Sequence, residues 1–177
     1  RRKSPERKSV RVTRRKSPER KSFPTRIIVR TTTGHEFVDI SNMILSPTII
    51  NTIRHSTLLR SLRIGSYRYD SKEPVISMLE LVDALRENNT IEDLGISFKI
   101  DLGMQEFLDM IGDKSILRKL RMTQLNDEDV ENLCHALSRY NVLETLDLSI
   151  CEISDVGAKA LADLLRKNTS IHTLNLS

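Results

Sequence analysis

Long apolar runs are missing from this sequence. Nowhere do 18 or more apolar residues follow one another, so no segment is long enough to span a bilayer as a helix, and the expectation is a chain with no membrane partner. The residues after Arg1 lack the apolar core of a signal peptide. Cysteine is scarce too. Cys134 and Cys151 are the two present, which is no disulfide framework, and both read as reduced core residues of an intracellular protein, cytoplasmic or nuclear. The recurrent signatures of catalysis are also absent: no Gly-rich phosphate loop, no His-Glu-x-x-His, no Cys-x-x-Cys and no Gly-x-Ser-x-Gly. His35, His55, His135 and His172 are scattered. Neither a metal site nor a cofactor is expected, and the protein reads as a non-enzyme.

Charge of one sign is scarce only locally. The chain carries 28 Lys/Arg against 24 Asp/Glu, a net of +4. Eleven of those cations and only two of the acids fall in residues 1–22, a net of +9 there, which leaves 17 against 22, or −5, for the rest. The basic pI therefore belongs to the first segment and the remainder is mildly acidic.

In that segment Arg-Arg-Lys-Ser-Pro-Glu-Arg-Lys-Ser stands twice without change, at 1–9 and 14–22. Val10 and Val12 are its bulky apolar residues, too few to offset the entropy of ordering, so residues 1–24 read as a disordered basic tail. Each copy holds a Ser-Pro-x-Arg, at Ser4 and Ser17, which resembles the acceptor pattern of proline-directed, cyclin-dependent-type kinases. Phosphate at both would lower the segment's charge by roughly 1.5–2 apiece. Such an arm fits an import receptor or nucleic acid as partner. Without interleaved aromatics it does not fit sequence-selective RNA binding.

Residues 25–57 read as a hairpin followed by a helix. Thr25–Thr31 and Glu36–Ile40 are two β-branched or alternating runs about a turn supplied by Thr32-Thr33-Gly34-His35, and Pro47 suits the first turn of a helix that buries Ile49, Ile50 and Ile53. Gly34-His35-Glu36-Phe37 and Ser46-Pro47-Thr48-Ile49 resemble, over about 25–54, the opening of the BTB/POZ fold of elongin C and its relatives. A ubiquitin-like hairpin fits the first half comparably. The resemblance implies a ubiquitin-ligase substrate adaptor. The simpler alternative is a cap that covers the edge and core of the next domain.

Residues 58–177 carry a repeat. Leu143-Glu-Thr-Leu146-Asp-Leu148 is an apolar-x-x-apolar-x-apolar strand signature, and it returns 28 residues later as Ile171-His-Thr-Leu174-Asn-Leu176. Earlier signatures begin at Leu59, Ile91 and Leu117, at spacings of 32, 26 and 26. Between them lie helical stripes: Val75, Met78, Leu79, Val82 and Leu85; Met104, Phe107, Leu108 and Ile111; Val130, Leu133, Cys134 and Leu137; and Leu161 with Leu164-Leu165. Asn126-Asp-Glu-Asp129 and Arg166-Lys167 supply acid and base at the helix ends that favour them. From Leu143 through Cys151, Ile153, Gly157 and Leu161 the sequence resembles leucine-rich repeats of the ribonuclease-inhibitor type. The resemblance implies an α/β solenoid: a curved parallel sheet with helices outside, Leu62, Leu94, Leu120, Leu146 and Leu174 pointing inward, and the other strand positions on a concave face.

On that face the first variable position reads Arg60, Glu92, Arg118, Glu144, His172, and the third reads Arg63, Gly95, Arg121, Asp147, Asn175. Asp93 and Lys119 stand at the second. Neighbouring strands lie ~4.8 Å apart, so the signs alternate along a possible ion-pair ladder. The charges either keep the face soluble and aligned or select a protein partner by electrostatic complementarity. The family's range implies a protein-interaction module first, and the substrate adaptor or a small-GTPase regulator of the Ran-activator type as alternatives. The chain starts without Met and stops just past a strand signature, so a longer protein is expected.

Overall fold

The computed structural model describes residues 28–32, 35–40, 46–65, 78–98, 100 and 103–177. The phosphorylation candidates Ser4 and Ser17, Thr33 and Gly34 of the expected turn, and Val75 of the expected helical stripe lie outside the described residues, whereas Thr32 and His35 of that turn belong to strands.

Among the described residues seven strands form one open sheet in chain order. They are β1 (Ile28–Thr32), β2 (His35–Asp39), β3 (Leu59–Ile64), β4 (Asp93–Ile96), β5 (Lys119–Met122), β6 (Thr145–Asp147) and β7 (Thr173–Asn175). β1 and β2 pair antiparallel; from β2 onward every pair is parallel. Parallel neighbours need a crossover, and each of these crossovers contains a helix. They are α1 (Pro47–His55), α2 (Met78–Glu87), α3 (Met104–Asp113), α4 (Asp127–Leu137) and α5 (Asp155–Lys167). This is a leucine-rich-repeat solenoid.

The register aligns Leu62 with Leu94, Leu94 with Leu120, Leu120 with Leu146 and Leu146 with Leu174. The first four are buried, and together with Leu59, Ile64, Ile96, Met122 and Leu148 they form one core with the helices. Leu174 is half-buried and Leu176 exposed, since no described repeat packs beyond them. The hairpin continues the same sheet. β2 pairs with β3 through an irregularity at Glu36/Phe37, and Ile40, Ile50 and Ile53 belong to the common core.

The helix starts follow their sequence signals. Ser46 caps α1 by accepting from the Ile49 N–H, with Pro47 in the first turn. Asn126 and Asp129 form a reciprocal capping box at α4. At α3 the cap position is Gly103, whose φ of +83° a side chain would resist. Two expected core positions differ. Leu79 is exposed, because the buried arc of α2 is centred on Leu81, Val82 and Leu85 and Leu79 falls outside it, lying near Gly103 instead. Leu165 on α5 is likewise exposed while Leu164 is buried.

Successive repeats are tied at the entrance of each strand, three residues before its first core position. Buried Asn88 donates from Nδ2 to the carbonyls of Ile53 (2.7 Å) and Ser56 (3.0 Å), while its Oδ1 accepts from the N–H groups of Thr90 (2.9 Å) and Ile91 (3.1 Å). Asn168 repeats the arrangement onto Leu137 (3.3 Å) and Tyr140 (2.7 Å), accepting from Ser170 and Ile171. At the same position in the intervening repeats, Lys114 Nζ donates to the carbonyls of Arg86 and Asn88, and the Tyr140 hydroxyl donates to Leu117 O at 2.7 Å. One carboxylate also caps the next repeat's helix. Asp127 accepts from the N–H groups of Ser154 (2.9 Å) and Gly157 (3.0 Å) and from the Ser154 hydroxyl.

Candidate functional site

The sheet face turned away from the helices gathers the residues that the strand signatures single out. Alternation along a strand sends Leu62 and its equivalents inward and leaves the residues on either side of it in two rows. In register these rows read Ser61, Asp93, Lys119, Thr145, Thr173 and Arg63, Gly95, Arg121, Asp147, Asn175. Asp39 of β2 aligns with Arg63 and extends the second row. Arg60, Glu92, Arg118, Glu144 and His172 stand at the strand entrances.

Each of β3 to β6, with its entrance residue, carries charge of one sign. β3 has Arg60 and Arg63, β4 Glu92 and Asp93, β5 Arg118, Lys119 and Arg121, and β6 Glu144 and Asp147. Opposite signs meet across strands: Arg60 Nε with Glu92 Oε1 at 3.9 Å, Arg118 Nη1 with Glu144 Oε1, and Arg121 Nε with Asp147 Oδ2 at 2.6 Å. The first two pairs are substantially exposed and each contributes only ~0–1 kcal/mol. The alternating ladder of the entrance positions thus forms in two of its steps, and Glu92 makes no ion pair with Arg118 among the described residues.

Asp147 differs from its row. It is only 7% exposed, so it presents little of itself to a partner and instead holds its neighbours. Oδ2 fixes Arg121, and Oδ1 accepts from the Ser149 N–H (3.1 Å) and Asn175 Nδ2 (3.2 Å). Burial pushes its carboxyl up, but the hydrogen bonds from Ser149 and then the Arg121 guanidinium outweigh this and leave it below the ordinary carboxylate range. Arg121 is bound through Nε in that pair, and its terminal N–H groups make no hydrogen bond among the described residues. Gly95 is covered. A Cβ there would sit 3.2 Å from Arg63 Cγ, so the Arg63 stem lies across β4. Ser61 Oγ donates to Asp93 Oδ2 at 3.1 Å. Exposed Lys119, although in register with Asp93, makes no ion pair within 4.0 Å among the described residues.

The strand exits hold a feature that the motifs do not announce. Gln124 and Ile150, each two residues beyond the strand's last core position, have φ of 62° and 60°. The Ile150 carbonyl accepts from the Gln124 N–H and its N–H donates to Ser177 O, both at 3.0 Å. The left-handed turn is therefore locked between repeats. A β-branched residue there opposes its own steric preference, at a cost of about 1–2 kcal/mol. No compositional signal marks it, because nothing in the residue type reveals the conformation.

Neither cysteine is poised for chemistry. Burial pushes the Cys134 thiol up to about 11, with Glu131 adding to it, and burial also raises Cys151. Among the described residues no cluster of His, Cys, Asp or Glu could hold a metal ion, and no helix is long and apolar enough to cross a membrane.

Comparison with known proteins agrees with the architecture at one repeat. Residues 141–162 match the family model described as Leucine Rich repeat, the same stretch that carries the strand signature and start of the helix at β6 and α5. A search of curated proteins gave no match. Among solved structures the chain is similar to one titled Leiomodin-1 Actin-Binding Site 2, at 15% identity and a TM-score of 0.49, over 56% of this chain and 61% of that one.

Proposed function

We propose that this chain is a non-enzymatic protein-binding module, a leucine-rich-repeat solenoid of the ribonuclease-inhibitor type whose helix-free face receives a segment of another protein bearing a carboxylate opposite β5. The ribonuclease-inhibitor type is supported by the full α-helix at each later crossover and by Gly157 packed beneath Asp127 at the start of α5. The carboxylate is supported by one observation above others: Arg118, Lys119 and Arg121 stand together on β5, with Lys119 in no ion pair among the described residues and Arg121 oriented by the nearly covered Asp147. A guanidinium already fixed by its neighbour loses less freedom on binding than a loose one. Charges on the rim of such a contact act mainly on the rate of encounter and on the choice of partner. In the same reading, phosphate on Ser4 and Ser17 weakens whatever residues 1–22 add by charge alone.

The test is affinity capture from cell extract with the wild-type protein, Lys119→Glu and the convex-side control Glu131→Lys, with bound proteins identified by mass spectrometry. Partners held by the open face drop about tenfold or more with Lys119→Glu, a loss of about 1.4 kcal/mol, and are unchanged with Glu131→Lys. Identical partner sets for all three proteins would exclude the open face as the binding surface.

A further inference from the structure

We propose that Ile150 is an apolar anchor for the same partner, set at the exit rim of the open face, where it takes an apolar side chain of the segment whose carboxylate meets β5. This rests on the proposed binding role of the face.

Three observations converge on it. Ile150 is 77% exposed, more than any other large hydrophobic described, and it takes no part in the core or the layer packed on it. Its backbone is left-handed, a conformation that β-branched residues resist. The preceding repeat makes the same turn with Gln124, at φ of 62° and with an exposed polar side chain. The turn itself thus needs no apolar residue, and among the described residues Ile150 packs into no part of the core. A local rule broken without structural return marks a position held for another purpose.

Its place in the chain supplies the continuity. Ile150 follows Asp147 by three residues, and Asp147 binds Arg121 of β5 and the Ser149 N–H that leads into the turn. The oriented cation and the exposed side chain therefore lie at the two ends of one short hydrogen-bonded path. The occupant they fit together is an acidic peptide with an apolar residue beside its carboxylate.

The experiment is an NMR titration of the full chain, followed at the isoleucine methyls and backbone amides, with two synthetic glutamate-rich peptides of the same length. One carries a central leucine, the other serine in its place. The Leu peptide is expected to move the Ile150 methyl together with the amides of β5, and to bind about five- to tenfold more tightly than the Ser peptide. Ile150→Asn is expected to erase that preference while raising the urea midpoint, because asparagine tolerates the left-handed turn. Shifts at β5 with no difference between the peptides would overturn the anchor and leave the open-face reading standing. No shift at β5 with either peptide would overturn both. A urea midpoint lowered by Ile150→Asn would make Ile150 a packing residue, and the inference would fall on that alone.

Discussion

At Asp147, desolvation and hydrogen bonding pull in opposite directions, and the bonds win: the carboxyl titrates below its ordinary range despite being nearly covered. A carboxyl whose pKa is depressed by folding contributes stability above the unfolded value of about 3.9, and that contribution is lost as pH falls through the lower folded value. Asp147→Asn is expected to cost about 1–2 kcal/mol at pH 7 and to flatten the acid side of a plot of urea midpoint against pH. An unchanged acid limb would mean that neither the Ser149 bonds nor the Arg121 pair lowers this carboxyl.

At the scale of elements, the strand-entrance ties are the feature least visible beforehand. The strand signatures and the inward leucines were legible because period and side-chain alternation follow directly from geometry. Asn88 and Asn168, in contrast, are ordinary polar residues in the chain, and their value lies in carbonyls some 30 residues earlier that only the folded register brings near. The same holds for Asp147, expected on the open surface and found supporting Arg121, and for Leu79, whose spacing fits the stripe of Val82 and Leu85 but which lies outside the buried arc of α2. The ties also differ in quality. Asn168→Ala leaves the Tyr140 carbonyl and the N–H groups of Ser170 and Ile171 without this partner, while the Leu137 carbonyl keeps the Tyr140 N–H, so a loss of about 2–4 kcal/mol is expected in urea unfolding. Lys114 does similar work with a charge, which burial, assisted by Arg86, makes less favourable. A lysine of depressed pKa costs stability while protonated, and the cost fades as pH rises from the folded towards the unfolded value. Lys114→Asn should therefore raise the urea midpoint at pH 7, and the gain should shrink at alkaline pH.

For the whole molecule, the open sheet raises the question of its edges, and the hairpin answers it at one end. β2 takes the hydrogen bonds of β3 that would otherwise face solvent, with Glu36 N–H on Leu58 O and Ile40 N–H on Arg63 O, while α1 covers the core with Ile50 and Ile53. Removing residues 1–55 is expected to leave β3 as a bare, apolar-backed edge and to turn a single species in size-exclusion chromatography into concentration-dependent assemblies. A monomeric, folded product would mean that the hairpin and α1 are dispensable to the array. The entrance ties carry one more implication, because all of them point one way. In every case the later side chain reaches back to a backbone acceptor in the earlier repeat, and none of these side chains reaches forward. A chain emerging from the ribosome amino end first meets each docking point already built, so the array can lengthen turn by turn during synthesis, each new repeat finding its place on the last.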